Sequence, residues 1–266
     1  FAFLRGFPGL LFQPNAQQGD VRGRDAGNAG RLTDGFGKKS FELFAGLKAH
    51  RSNGIVLDIA GNTFGVELGH FFGSLGTTIN IIQRRNVLLP DEDEEIARKF
   101  TEVFSKKYKI HLGFTAESVS KSSDTFTVMA KNSAGKPIKI ESDQLLVATG
   151  RTPNSDRLDV EKTGVKTNSE GFITVDGYLE TSSKGVFALG DAVGKYLFKH
   201  SANHEAQYAY HNLTHDKKIA VDYTAMPHAI FSSPQVAGAG YTEQELKAKA
   251  IPYTRAVYPY IRTAMG

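Results

Sequence analysis

The sequence predicts an α/β protein whose core is a sheet of short apolar strands covered by helices. Three observations predict it. Apolar runs of strand length recur at residues 55–59, 78–82 and 145–148. Stretches of helical periodicity follow the first two, at residues 64–75 and 91–106. A pair of hairpin-like strands precedes the third.

The elements follow in order from residue chemistry. Residues 1–37 are rich in Gly, Gln, Asn and Arg and hold no period of 2 or 3.6, so residues 1–51 receive no fold. Within them, residues 38–48 carry Phe41, Phe44 and Leu47 at helical spacing. Ile55-Val56-Leu57-Asp58-Ile59 is the first strand and Ala60-Gly61-Asn62 a turn. The helix at 64–75 places Gly65, Gly69 and Gly73 on one face, where it can lie close to a sheet. Thr78-Ile79-Asn80-Ile81-Ile82 is the second strand. The helix at 91–106 has acids in its first turn and Lys in its last, the arrangement a helix dipole favours. Strands at 125–131 and 137–141 flank the turn Asn132-Ser133-Ala134-Gly135, and Leu145-Leu146-Val147-Ala148 is a buried strand. This order is the layout of a small nucleotide-binding α/β unit. Beyond Gly150 come short strands at 171–176 and 185–191, a helix at 201–213, a strand at 229–231, and a capping box from Thr242 to Glu245.

Composition excludes several classes. With 40% hydrophobic and 23% charged residues, the 266-residue chain is neither collagen-like nor a highly charged disordered polymer. No apolar run approaches the ~18 residues of a membrane helix, and Phe1-Ala2-Phe3-Leu4-Arg5 lacks a signal-peptide layout. The expectation is a cytoplasmic protein without a membrane partner. The absence of cysteine removes a CxxC redox site, a thiolate zinc site and a cysteine nucleophile from these residues. The net charge of +4 comes from scattered pairs such as Lys106-Lys107 and Lys217-Lys218, so no nucleic-acid partner is expected. The eight histidines read as dispersed, and no metal site is expected.

Three places could carry chemistry. In the turn from Ile59 to Glu67, a strand, a tight turn and a helix N-terminus present backbone N–H groups to a pyrophosphate. The three glycine positions of that fingerprint hold Ala60, Asn62 and Gly65, so a plain strand–helix turn stays open beside a dinucleotide site. Gln83, Arg84 and Arg85 end the next strand, where two guanidinium groups suit a 2′-phosphate and hence NADPH. A solvated basic loop is the alternative. Gly190-Asp191 follows an apolar strand, where a carboxylate can hold a ribityl or ribose hydroxyl or can simply open a loop. Downstream, His200-Ser201-Ala202 opens a helix whose N–H groups can face an anionic ring, with Glu205 one turn inside.

Several stretches together resemble one family. Ala148-Thr149-Gly150-Arg151-Thr152-Pro153-Asn154 is similar to the ATGRxPN segment of the pyridine nucleotide–disulfide oxidoreductases. So are Val186-Phe187-Ala188-Leu189-Gly190-Asp191 and Phe64-Gly65-Val66-Glu67-Leu68-Gly69. The stretches at 197–206 and 226–231 are most similar to its mycothione reductase and dihydrolipoyl dehydrogenase branches. The resemblance implies a Rossmann-like FAD/NAD(P)-binding fold, with an NAD(P) domain at 52–150, the second half of an FAD domain at 151–221 and the start of an α+β dimerisation domain at 222–266. It further implies FAD with NADP or NAD (NADP slightly preferred), a small-molecule or protein-bound disulfide as substrate, and a homodimer. By carry-over, Gly61, Asn62, Gly65, Glu67 and Gly150 line the nicotinamide nucleotide, and Gln83, Arg84 and Arg85 sit at its ribose end. Gly190 and Asp191 meet the ribityl chain, and His200, Ser201 and Ala202 pass the flavin ring.

Hydride is then expected to pass from NAD(P)H to FAD and on to a disulfide. The family's first GxGxxG, its redox cysteines and its His–Glu pair have no counterpart here, so the expectation is a partial chain with no catalytic residues of its own. A non-catalytic module that keeps the fold, or a cysteine-free flavin oxidase, are the alternatives.

Overall fold

The structure, a computed structural model, describes residues 4–5, 53–58 and 63–263, the first two segments by backbone course alone. The expected amphipathic stretch at 38–48 lies outside the described residues, as do Ala60, Gly61 and Asn62. Elements in chain order are β1 (Leu4–Arg5), β2 (Asn53–Asp58), α1 (Thr63–Ser74), β3 (Thr78–Gln83), α2 (Glu94–Phe104) and β4 (Lys109–Leu112). A meander of β5 (Phe114–Ser122), β6 (Thr125–Asn132) and β7 (Pro137–Ser142) leads to β8 (Gln144–Val147). The remainder holds β9 (Val186–Phe187), α3 (Lys199–Thr214), β10 (Pro227–Ile230), β11 (Val236–Ala239) and α4 (Glu243–Ala248).

The apolar runs assemble as a four-stranded parallel sheet in the order β4-β3-β2-β8. Val56 of β2 is opposite Ile81 on one side and Leu146 on the other. Period-2 alternation then sorts β3 between two cores. Ile79 and Ile81 pack with Val66 of α1 and with Phe100 and Phe104 of α2. Ile82 turns the other way, toward Ala116, Val128, Ala130 and Ile140 of the meander. Burying each of the larger side chains contributes about 1.5–3 kcal/mol, so the sheet is held from both faces.

Close approach is built into α1. A Cβ on Gly73 would stand 2.3 Å from Cε1 of Tyr108, so any side chain there would have to displace that ring. The loop between β3 and α2 is pinned by Thr101, whose hydroxyl donates to the Ala97 carbonyl at 2.7 Å and accepts the Leu88 N–H at 2.9 Å.

Several expectations are corrected. The helix at 91–106 is shorter, because Asp93 accepts the Glu95 N–H as its N-cap and Ser105 closes it, leaving Lys106 outside. The meander has three strands rather than two. Its first, β5, buries only Ala116 and is otherwise rich in Ser, Lys, Thr and Glu, so it shows no clear alternation. The strand expected at 171–176 is reduced to the isolated bridges Thr167–Ile173 and Val175–Thr181. Side chains compete for its backbone: Asn168 Oδ1 accepts from Glu170 and Phe172, and Asp176 Oδ1 accepts from Tyr178 and Glu180. The strand at 185–191 keeps only Val186 and Phe187, paired antiparallel with β1, before Gly190–Ala192 tightens into a 3-10 turn.

The C-terminal hairpin does not stand apart. Ile230 of β10 and Val236 of β11 belong to the same apolar cluster as Val66 and Phe104. The N-termini of α2 and α4 also meet. Asp93 Oδ2 accepts the Glu243 N–H at 3.1 Å, and the Gln244 amide donates to the Glu92 carbonyl at 2.8 Å. Thr242 and Glu245 form the expected capping box. No helix among the described residues is long and apolar enough to cross a membrane.

Candidate functional site

Where the sheet unit meets α3 and β10, a cleft of about 450 Å³ opens. Glu67 reaches it from the second turn of α1, with Thr63 and Phe64 beside it. Gly190, Asp191, His200 and Ala202 line the opposite wall, and Phe198 and Phe231 contribute rings. Residues from distant sequence positions that were expected to handle cofactor thus share one space.

Local chemistry fixes each wall. Gly190 sits at φ +68, and an added Cβ would lie 3.1 Å from Cβ of Ala202, so the turn can rest on α3 only without a side chain. Asp191 Oδ2 accepts from Arg151 Nη1 at 2.7 Å, and the same nitrogen donates to the Leu197 carbonyl at 2.8 Å. That pair ties the ATGRTPN segment to the Gly190-Asp191 turn and uses one carboxylate oxygen. No side chain caps the N-terminus of α3, which begins at Lys199 with Phe198 as N-cap. Since Phe198, Lys199, His200 and Ala202 all line the cleft, the positive end of that helix dipole is directed at it. His200 stacks on Phe198 with centroids 5.3 Å apart, and its buried Nε2 has no hydrogen-bond partner. Glu67 Oε1 accepts the Phe231 N–H at 2.8 Å, joining α1 to the segment after β10.

Other expected residues lie elsewhere. Gly65 is buried within α1, and Gly150 is exposed at φ +139; neither lines the cleft. Ser201 does not line it either: its hydroxyl turns back to donate to the Phe198 carbonyl at 2.6 Å. Gln83 ends β3 fully buried, its Oε1 accepting the Arg85 N–H at 3.0 Å while its Nε2 stays unpartnered. Arg84 and Arg85 are exposed just beyond, with the Arg85 carbonyl fixed by the Gly113 N–H. These three form a separate patch at the carboxyl end of the parallel sheet. Gly61 and Asn62 lie outside the described residues.

The reading of dispersed histidines is also corrected. His200 and His204 stand four residues apart on α3, as do His211 and the C-cap residue His215. They do not converge: His204 Nε2 lies 2.7 Å from the Asp222 carbonyl, and the rings of His211 and His215 stack at 4.3 Å. Among the described residues no group of three or more His, Cys, Asp or Glu is arranged to hold a metal ion. A hollow of about 460 Å³ beside His211 and His215 includes none of the expected site residues.

Sequence reasoning passed over Phe64, Phe198, Phe231 and Arg151 as cleft residues. Arg151 carried a signal, since it lies within the quoted ATGRTPN segment. Phe64, Phe198 and Phe231 also lie within quoted family stretches, but nothing local in those stretches says that their rings meet one cleft.

A four-stranded parallel sheet with helices, opposed by a glycine–aspartate turn and an uncapped helix, defines a partial Rossmann-like α/β fold. The chain belongs to the pyridine nucleotide-disulphide oxidoreductase family, whose model matches residues 42–229. It is 34% identical over 238 residues to mycothione reductase of Mycobacterium tuberculosis, an alignment covering 84% of this chain and 51% of that protein. It is 31% identical over 205 residues to dihydrolipoyl dehydrogenase of Vibrio parahaemolyticus, covering 77% and 43%. Among solved structures, LpdA from Mycobacterium tuberculosis superposes with a TM-score of 0.67 at 20% identity, over 76% of this chain and 43% of that one. The HOCl-induced flavoprotein disulfide reductase RclA from Escherichia coli gives 0.66 at 24% identity, over 75% and 45%. The chain spans about half the length of the curated relatives it matches.

Proposed function

We propose that this chain carries the nicotinamide-nucleotide site and part of the FAD site of a flavin-dependent NAD(P)H oxidoreductase. The observation that carries the reading is the shared cleft, in which Glu67 of α1 faces Gly190, Asp191, His200 and Ala202. Residues 52–150 are read as the NAD(P) domain, 151–221 as the second half of the FAD domain and 222–266 as the start of a dimerisation domain. The residues fit a flavin. The side-chain-free turn at Gly190, the unpartnered Nε2 of His200 and the uncapped N-terminus of α3 are three features that a polar, planar group would complete.

Asp191 would accept from ribityl hydroxyls through a carboxylate that Arg151 already orients. The α3 N-terminus would favour negative charge on the ring edge beside it. His200 would donate or accept at its buried Nε2, and Phe198 and Phe231 would exclude water. When bound, FAD supplies two-electron chemistry: it accepts a hydride from NAD(P)H and passes both electrons onward. Arg84 and Arg85 would hold a 2′-phosphate, which favours NADPH.

The family is named for disulfide oxidoreduction and RclA is titled a flavoprotein disulfide reductase, which supports a disulfide as final acceptor; a homodimer is the assembly proposed with it. Exposed Val257, Tyr258, Tyr260 and Ile261 near the C-terminus are in keeping with a second copy. A second reading, in which flavin electrons pass to oxygen or a quinone, needs no cysteine among these 266 residues. Anaerobic addition of NADPH to the FAD-loaded chain tests the proposal: bleaching of the flavin band is expected, and an unchanged band would overturn hydride transfer. Oxygen consumption without disulfide reduction would select the second reading.

A further inference from the structure

Glu205 is the one carboxylate that is buried among the described residues, with 1% of its surface exposed. An ionised carboxylate away from water costs several kcal/mol unless donors satisfy it. Two do. Oε2 accepts the Gly190 N–H at 2.6 Å, and Oε1 accepts the Tyr223 hydroxyl at 2.7 Å. Both are short, as charge-assisted hydrogen bonds are. Behind them Lys195 sets its ammonium 3.5 Å from the centroid of the Tyr223 ring. A cation on that face draws density from the phenol and strengthens the hydroxyl as a donor. Burial and the Glu205 contact push the Tyr223 hydroxyl well above the usual phenol value, so it keeps the proton it donates.

The acceptor meets the turn where the backbone is least common. Gly190 is in the left-handed region, and its carbonyl accepts the N–H groups of Val193 and Gly194 at 3.0 and 3.2 Å. Glu205 fixes the other side of the same residue. With both polar groups of Gly190 held, the direction in which Asp191 leaves the turn is set.

We propose that Glu205, braced by Tyr223, is the positioning residue of the Gly190-Asp191 turn and holds Asp191 toward the ribityl hydroxyls of FAD. The inference rests on the FAD reading above. Glu205 sits in the second turn of α3, outside the set that lines the cleft, and acts only through Gly190.

The test uses the full chain as wild type, Glu205→Ala, Glu205→Gln and Tyr223→Phe, with FAD titrated into each and exchange of the Gly190 amide proton followed by NMR. Glu205→Ala is expected to weaken FAD binding about tenfold and to speed Gly190 exchange, the loss of one charge-assisted hydrogen bond. Glu205→Gln keeps an oxygen acceptor for Gly190 and offers its amide to the Tyr223 oxygen, so it should bind within about threefold of wild type. Tyr223→Phe should fall between. Should Glu205→Ala fail to fold, the other two variants carry the test. Wild-type FAD affinity and Gly190 exchange in Tyr223→Phe, or Glu205→Gln weakened about tenfold like the alanine variant, overturns the inference. A wild type that binds FAD beside a folded Glu205→Ala that binds it equally overturns the inference alone. A wild type that binds none overturns the FAD reading and this inference with it.

Discussion

His228 places its Nε2 2.8 Å from Oε1 and 2.9 Å from Oε2 of Glu92, joining β10 to the loop ahead of α2 across 136 positions of sequence. The same imidazole lies 5.6 Å from the Phe198 ring, which lines the cleft. One ion pair therefore links the sheet unit, the C-terminal hairpin and the cleft wall. Next to it the N-termini of α2 and α4 cap each other: Asp93 accepts the Glu243 N–H, and the Gln244 side-chain oxygen accepts the Glu94 N–H.

The Glu92 carboxylate raises the pKa of His228 above its ordinary value of 6.5, against an opposing effect of burial. A raised histidine stabilises the fold fully below its unfolded value, and that contribution is lost as pH rises through the folded value. His228→Asn should therefore lower Tm by about 2–4 °C near pH 6 and by far less in mildly alkaline buffer. Thermal melts of both proteins across that range check it, and a pH-independent gap would refute the pairing.

Gly190→Ala tests the turn. The alanine would have to adopt a left-handed conformation with its Cβ 3.1 Å from that of Ala202. Strain of this kind costs about 1–3 kcal/mol. We expect a lower Tm and weaker FAD binding together, read by calorimetry and flavin titration; undiminished FAD affinity would place the flavin elsewhere.

Gly73→Ala tests the packing of α1. Its Cβ would overlap the Tyr108 ring at 2.3 Å, and forcing that ring aside should cost about 1–3 kcal/mol. Adding Tyr108→Ala should recover part of the loss that Gly73→Ala causes in urea unfolding, because the clash is with that ring. A double variant in which the two losses simply add would contradict the contact.

Replacing both Arg84 and Arg85 with Ala tests coenzyme choice. Each exposed guanidinium that pairs with a 2′-phosphate should contribute about 1 kcal/mol, so NADPH should lose about tenfold or more in KM relative to NADH. An unchanged NADPH-to-NADH ratio would remove the basis for the preference.

How much of this was legible in the sequence follows from what each element depends on. α1 was legible because Gly65, Gly69 and Gly73 recur every fourth residue, and β3 because Ile79 and Ile81 alternate with period 2. The capping box at Thr242 is a local device and was read in full. β4 escaped notice because it has only four residues, and β5 because neither face is well buried. Of the cleft, Glu67, Gly190, Asp191, His200 and Ala202 came from short motifs. The roles of Phe198, Phe231, Tyr223 and the His228–Glu92 pair come from contacts between distant segments, which no local pattern encodes. The hydrogen bond from the Ser201 hydroxyl to the Phe198 carbonyl was not legible in the same way, since it depends on how α3 begins.

The central claim is that the cleft between Glu67 and the Gly190-Asp191 turn takes a flavin. Equilibrium titration of the purified chain with FAD, followed by absorbance of the protein fraction after removal of free dye, tests it most directly. A saturable flavin spectrum near one equivalent per chain, weakened by Asp191→Ala, is the expected result; a wild-type chain that retains no flavin at saturating FAD would show that the cleft takes none.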